Sequence, residues 1–208
     1  MQVPHKQHKR RRLPSGGSEN SCVRKRTEHK DHVWSYDFVA DRLENGRQIR
    51  MLVVIDEFTR ECLAIEVSRS FTAKQVIEVL RYLFAVRGTP KFVRSDNGPE
   101  FVAKELRKWL DQADVKTLFI TPGSPWENGY VESFNGKLRD ELLNQELFLS
   151  LEEARWVVDR WRLDYNHHRP HSALDYQTPA AFAASRLASV RPTASLQQAC
   201  CNTPDSLC

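Results

Sequence analysis

Three carboxylates stand out by position rather than by type. Asp37 falls inside an apolar strand-like run, WSYDF (34–38), where alternation turns Tyr36 and Phe38 to the opposite face. A carboxylate there is costly to bury unless something pairs with it; the alternative is an edge-strand Asp facing water. Asp96 ends a short strand-like segment and is followed by Asn97-Gly98. That is either a turn former or a residue of the sites that α/β folds keep at strand ends. Glu132 lies on a helix-like stretch whose apolar stripe is Val131, Phe134, Leu138 and Leu142. At 100° per residue, Glu132 and Arg139 fall within about 20° of one line off the apolar edge, flanked by Asn128 and Gly136. A solvated helix face has the same pattern. With 27 acids in 208 residues, the 35 residues between Asp96 and Glu132 carry little weight alone. The joint placement is the specific feature: strand Asp, strand-end Asp-Asn-Gly, a Pro/Gly loop, then a helical Glu.

The elements that must position these residues follow from periodicity. Three apolar, β-branched runs (33–39, 49–56 and 62–67) joined by short polar connections predict an antiparallel meander. Thr72 with Gln75 predicts a capping box, and Val76, Val79, Leu80, Leu83 and Phe84 follow at helical spacing until Gly88 stops the helix. A short strand (91–95) comes next. Pro99 then opens a helix with stripe Val102, Leu106, Trp109 and Ala113, before a strand over 115–120. Beyond the loop 121–129 and the Glu132 helix, Ser150 and Glu153 open a further helix with stripe Leu151, Ala154, Val158, Trp161 and Tyr165. The order β-β-β-α-β-α-β-α-α predicts an α/β fold, a ribonuclease-H-like mixed sheet of about five strands flanked by helices. Trp109, Trp156 and Trp161 read as core. Trp126, in the loop before the Glu132 helix, can equally pack or stack on an unpaired base.

The domain reading is a basic arm or linker over 1–32, a core over 33–183 and an irregular tail over 184–208. The arm holds nine Lys/Arg, among them Arg10, Arg11 and Arg12, against three acids, a charge of +6 within a chain of +4. Such an arm is either a solvated terminus or a contact for a polyanion, most simply nucleic acid. Mean hydropathy is −0.56 and no apolar run approaches a membrane span. The basic start has no apolar stretch behind it, which argues against a secretory leader. Five cysteines without a C-x-x-C pair argue against a disulfide framework and a structural zinc site, and the chain reads as cytosolic. His29, His32 and Cys22 lack the second cysteine of a zinc module. His167, His168 and His171 read as a structural or DNA-contacting loop rather than a metal site.

The segments WSYDFVADRLENGR (34–47), VVIDEFTRECLAIEV (53–67), RSDNGPEF (94–101), ENGYVESFNGKLRDELLN (127–144) and YNHHRPHSALDYQTPAAF (165–182) together strongly resemble the integrase-core transposases of bacterial insertion sequences. The match is to the OrfB-type product of elements with two overlapping reading frames, and it covers about residues 20–183. The resemblance implies a retroviral-integrase-like fold and a DD(35)E triad on Asp37, Asp96 and Glu132. It also implies that Arg139 helps hold the element's terminal DNA. Asp56 reads as structural, and Glu127 is excluded as third ligand because the family's ESFNG begins at Glu132.

The implied chemistry is phosphodiester transfer with two Mg²⁺ ions about 4 Å apart, Mn²⁺ serving as a substitute. Hard cations take oxygen ligands, so Asp37 is expected to bridge both ions, with Asp96 and Glu132 each completing one. Water is the nucleophile in strand cleavage and a 3′-hydroxyl in strand transfer. The implied partners are DNA, as element ends and as target, and further copies of the chain in a homo-oligomer on DNA, within the bacterial cytosol or nucleoid. The family's upstream helix-turn-helix region has no counterpart in residues 1–32. A separate helix-turn-helix protein from the upstream frame is therefore expected, or else a shortened product. Two other functions compete with the active transposase: a catalytically incomplete DNA-binding remnant acting as inhibitor, and a ribonuclease-H-like nuclease without strand transfer.

Overall fold

A computed structural model of the chain describes residues 27–95, 100–119 and 128–188. Strands β1 (Val33–Arg42), β2 (Gln48–Asp56) and β3 (Cys62–Ser68) form the meander. Helix α1 (Ala73–Arg87) leads to β4 (Phe92–Ser95), α2 (Glu100–Gln112) and β5 (Lys116–Phe119). Then come α3 (Gly129–Leu138), a π-helical turn (Arg139–Leu143), α4 (Leu151–His167), a 3₁₀ turn (Ser172–Leu174) and α5 (Pro179–Ala188). The sheet order is β3-β2-β1-β4-β5. β1, β2 and β3 pair antiparallel, and β4 runs parallel to both β1 and β5. This is the mixed five-stranded sheet expected from the element order.

Helices cover both faces of the sheet, which is why β2 runs apolar on both faces from Met51 to Ile55. On one face Trp34, Tyr36, Leu52 and Val54 pack against Val76, Leu80 and Leu83 of α1 and Leu106 and Leu110 of α2. On the other, Val39, Met51, Val53 and Ile65 pack against Val131, Phe134 and Leu138 of α3 and Ala154, Val158 and Tyr165 of α4. Asp37 lies two residues before Val39, so strand alternation puts it on the α3 face.

The caps form as the residue types dictate. The Thr72 hydroxyl accepts from the Gln75 N–H at 3.4 Å, and Gln75 Oε1 accepts from the Thr72 N–H at 2.9 Å. Ser150 Oγ accepts from the Glu153 N–H at 3.1 Å. Gly88, at φ +90°, ends α1 by donating its N–H to the Phe84 carbonyl.

Four features depart from the periodicity reading. The Glu132 helix widens after Leu138 into the π turn, so Leu142 and Leu143 both reach the core, where a regular helix would bury only the first. Helix α5 runs across residue 183, the boundary drawn between core and tail, and buries Phe182 and Ala183. The end of the basic arm is packed: His32 is buried and stacks on His29 at 4.6 Å. Trp156 is 63% exposed rather than core, because it lies about 200° around α4 from the buried Ala154. Pro99, Val102's side chain and Ile120 lie outside the described residues, as does the end of the tail.

Candidate active site

Asp37 occupies the middle of β1, opposite Val53 of β2. It is half-buried. Its Oδ1 accepts from the N–H of Phe38 at 2.7 Å, and its Oδ2 accepts from Asn135 Nδ2 at 2.8 Å. Asn135 is 8% exposed and sits on α3 one turn after Glu132. The helix carrying Glu132 therefore lies directly over the strand carrying Asp37. Glu132 itself is solvent-exposed in the first turn of α3, where the helix dipole favours a carboxylate.

Below Asp37 lies a buried polar bracket between β1 and β4. Ser35, two residues earlier on the same face, donates its hydroxyl to Glu57 Oε1. Arg94 Nε lies 2.9 Å from that oxygen, with the two side chains 4% and 0% exposed. Ser35 and Arg94 are paired across the parallel ladder, and Asp37 and Asp96 come two residues further along each chain. Asp96 lies outside the described residues, as do Trp126, Arg10, Arg11, Arg12 and Glu127.

Asp56 belongs to a separate structural knot. Its carboxylate accepts from Asp31 N–H, Phe58 N–H and Thr59 Oγ1 at 3.2, 3.0 and 2.9 Å. Burial nevertheless pushes its pKa up to about 6, the hydrogen bonds only partly opposing. It pairs with Trp34 on the ladder, three residues from Asp37, and agrees with the structural reading.

Arg139 is exposed, and its Nη2 lies 3.5 Å from the carbonyl oxygen of Ala40 on β1. The two acids that could have neutralised it are otherwise placed: Glu141 pairs with Arg169, and Asp140 makes no ion pair among the described residues. Asn128 does not join the Glu132–Arg139 line. It is the residue before the helix, with φ −98° and ψ 12°, so the helical wheel does not extend to it, and it is 3% exposed. Asn135 was not singled out in the sequence. Its signal is a polar residue on the buried side of α3, between the Phe134 stripe and the Glu132 line.

The donors fit a hard divalent cation: Asp37 and Glu132 offer carboxylate oxygens, and no Cys or His stands between them in the described site. Among the described residues no group of three or more His, Cys, Asp or Glu side chains is clustered to hold a metal.

A family model described as "Integrase core domain" matches residues 27–125, and a second of the same description matches residues 113–179. The chain is 45% identical over 168 residues to a 31.7 kDa protein of insertion element IS407 from Burkholderia multivorans, covering 81% of this chain and 61% of the relative. It is 46% identical over 153 residues to a 39.2 kDa protein of insertion element IS476 from Xanthomonas euvesicatoria, covering 74% and 44%. The chain thus spans between about two-fifths and three-fifths of these relatives. Among solved structures, the catalytic core domain of HTLV-2 integrase in complex with magnesium superposes with a TM-score of 0.60 at 19% identity, covering 76% of this chain and 99% of that one. The likeness at that identity is one of fold, and the fold is ribonuclease-H-like.

Proposed function

The chain belongs to the integrase-core family of insertion-sequence transposases, and on that footing we propose that it is a DD(35)E polynucleotidyl transferase that cleaves and joins DNA strands. The observation that carries this reading is the Asp37–Asn135 hydrogen bond at 2.8 Å. It ties the mid-strand carboxylate to the helix that presents Glu132 one turn away. Asp37, Glu132 and Asp96 would hold two Mg²⁺ ions, with Mn²⁺ as substitute. When bound, these supply charge neutralisation at the reacting phosphorus and activation of the oxygen nucleophile.

The remaining work falls to the chain's own side chains. Asn135 and the Phe38 N–H hold the Asp37 carboxylate in one orientation. The Ser35–Glu57–Arg94 bracket stiffens β1, which carries Asp37, against β4, whose last residue precedes Asp96 in the sequence. In cleavage the attacking oxygen comes from water, the P–O3′ bond breaks, and a free 3′-hydroxyl results. In strand transfer that hydroxyl attacks a target phosphodiester and displaces its 3′ oxygen. The protein needs no covalent intermediate. Arg139 would hold the element's terminal DNA, and Arg10, Arg11 and Arg12 of the arm would contact phosphates without reading sequence. The working assembly is a homo-oligomer on DNA in the bacterial cytosol.

The test is a single-turnover assay on labelled element-end duplex, with and without Mg²⁺. Asp37→Asn, Asp96→Asn and Glu132→Gln should each abolish cleavage and joining while leaving the melting profile cooperative. A variant that keeps near-normal cleavage removes its residue from the triad. Binding by the wild type without any cleavage supports the remnant reading, and cleavage without joining supports a nuclease.

A further inference from the structure

The far side of α3 carries a feature the catalytic reading does not use. A cleft of about 440 Å³ opens between the β2–β3 turn, α3 and the segment after α4, and Arg60, Tyr130, Ser133, Lys137, Tyr165 and His171 line it. On α3, Tyr130, Ser133 and Lys137 lie about 100–160° around the axis from Glu132. The cleft and the catalytic face are therefore two sides of one helix.

Its electrostatics are one-sided. Arg60 sits over the Tyr130 ring at 3.5 Å and donates to the Glu57 carbonyl, so its guanidinium is fixed at the cleft wall. Lys137 Nζ lies 5.8 Å from the Tyr165 ring. Its pKa is lowered by burial and by the nearby charges of Arg169 and Arg60, with Glu141 opposing, and Glu141 is already paired with Arg169. His171 is 7% exposed, and its Nε2 has no hydrogen-bond partner among the described residues. Burial, Lys137, Arg169 and Arg60 hold its pKa down at about 4, with no acid opposing them among the described residues. Lys137 and Arg60, neither in an ion pair among the described residues, share the cleft with a neutral imidazole whose buried nitrogen has no partner there. A buried polar atom left without a partner is costly, and so is unbalanced like charge. An anion with several acceptor oxygens relieves both: the Ser133 hydroxyl and the His171 ring, both lining the cleft, can donate to it, and its charge offsets part of that of Lys137 and Arg60.

We propose that this cleft binds a phosphate of the DNA backbone, giving the chain a second DNA contact on the side of α3 opposite the catalytic carboxylates. This rests on the proposed reading that DNA is the substrate. A phosphodiester fits better than a protein carboxylate because the lining donors come from three segments of the chain, and a phosphate offers acceptor oxygens on more than one side.

The test is fluorescence anisotropy of the full chain with a labelled random-sequence duplex from 50 to 300 mM KCl, together with NMR of the His171 ring. Lys137→Gln should weaken binding about fivefold at 100 mM and lower the slope of log affinity against log salt by about one. Lys137→Arg should restore binding to within about twofold. Ser133→Glu, at an exposed position, should weaken binding at least as much. Lys74→Gln, exposed on α1, should leave the slope unchanged. Duplex should shift the His171 ring signals. An unchanged slope in both Lys137→Gln and Ser133→Glu, with the wild type still binding duplex, overturns the cleft contact alone. Failure of the wild type to bind any duplex overturns the DNA reading as well. A His171 shift produced by inorganic phosphate but not by duplex overturns the proposal in favour of a small-anion site. One that follows protein concentration without DNA overturns it in favour of an acidic surface on a second copy.

Discussion

Removing the Asn135 amide should weaken metal use before it weakens anything else. Asp37 has two anchored oxygens, Oδ1 on its own strand's Phe38 N–H and Oδ2 on Asn135 Nδ2 at 2.8 Å. Asn135→Ala deletes the second anchor, and the carboxylate regains rotation about χ2. A hydrogen bond to a charged group is worth about 1.5–3 kcal/mol. Asp37 is half-buried, so water replaces part of the loss and the lower end applies, about 1.5 kcal/mol. For a chain of this length that is a fall in Tm of roughly 3–6 °C without metal. Loss of a group that orients a ligand typically costs about 10–100-fold in metal affinity. The Mg²⁺ concentration giving half-maximal cleavage should therefore rise at least about tenfold, while the rate at saturating Mg²⁺ largely recovers. Asn135→Asp should be worse without metal, since two carboxylates then meet at hydrogen-bond distance, and should gain more stability from Mg²⁺ than the wild type does. Titrations of single-turnover cleavage against Mg²⁺, beside melting curves, measure all of this. An unchanged Mg²⁺ requirement with a reduced rate at saturation would refute the reasoning, because Asn135 would then act on DNA and not through Asp37.

Arg139→Ala should reduce strand transfer at limiting DNA by a factor matching the ~1–3 kcal/mol of a good bidentate contact, with Tm nearly unchanged because the side chain is exposed; Arg160→Ala, exposed on α4, is the comparison, and equal effects would sink the assignment. Arg94→Met removes the ion-pair partner of the buried Glu57 carboxylate and should cost about 3–5 kcal/mol in urea denaturation, with Arg94→Met/Glu57→Met recovering much of it. Asp56 has a folded pKa raised from 3.8 to about 6, so the native state holds its proton more tightly than the unfolded chain does. Its contribution is then most favourable below about pH 4 and is lost as pH rises to about 6, some 3 kcal/mol in all, then level. The stability of wild type minus Asp56→Asn should fall across that window, and a flat difference would show that Asp56 is not buried as an acid.

What local sequence determined here is what depends on neighbours within a turn or a pleat. Alternation in WSYDF put Asp37 on the face away from Tyr36 and Phe38. Thr72 with Gln75, and Ser150 with Glu153, marked helix starts, because a cap is a bond between residues three apart. The 100° spacing also placed Glu132 and Arg139 on one exposed line. The π turn after Leu138 escaped that same rule, because it lets Leu142 and Leu143 share the core and is decided by packing against the sheet. Trp156 was misread as core for the related reason that hydrophobicity alone does not tell which side of α4 meets the sheet. The rest was decided at long range. Placing β4 beside β1 needs a crossover through α1, and it alone sets Ser35 against Arg94 and closes the buried bracket with Glu57. Asn135 reaches Asp37 across 98 residues of chain, and Arg60, Lys137 and His171 converge on one cleft from three separate segments. No spacing rule links such residues, because what joins them is the docking of α3 and α4 on the β1–β3 face. That docking is driven by apolar area, which is indifferent to the polar groups it brings together.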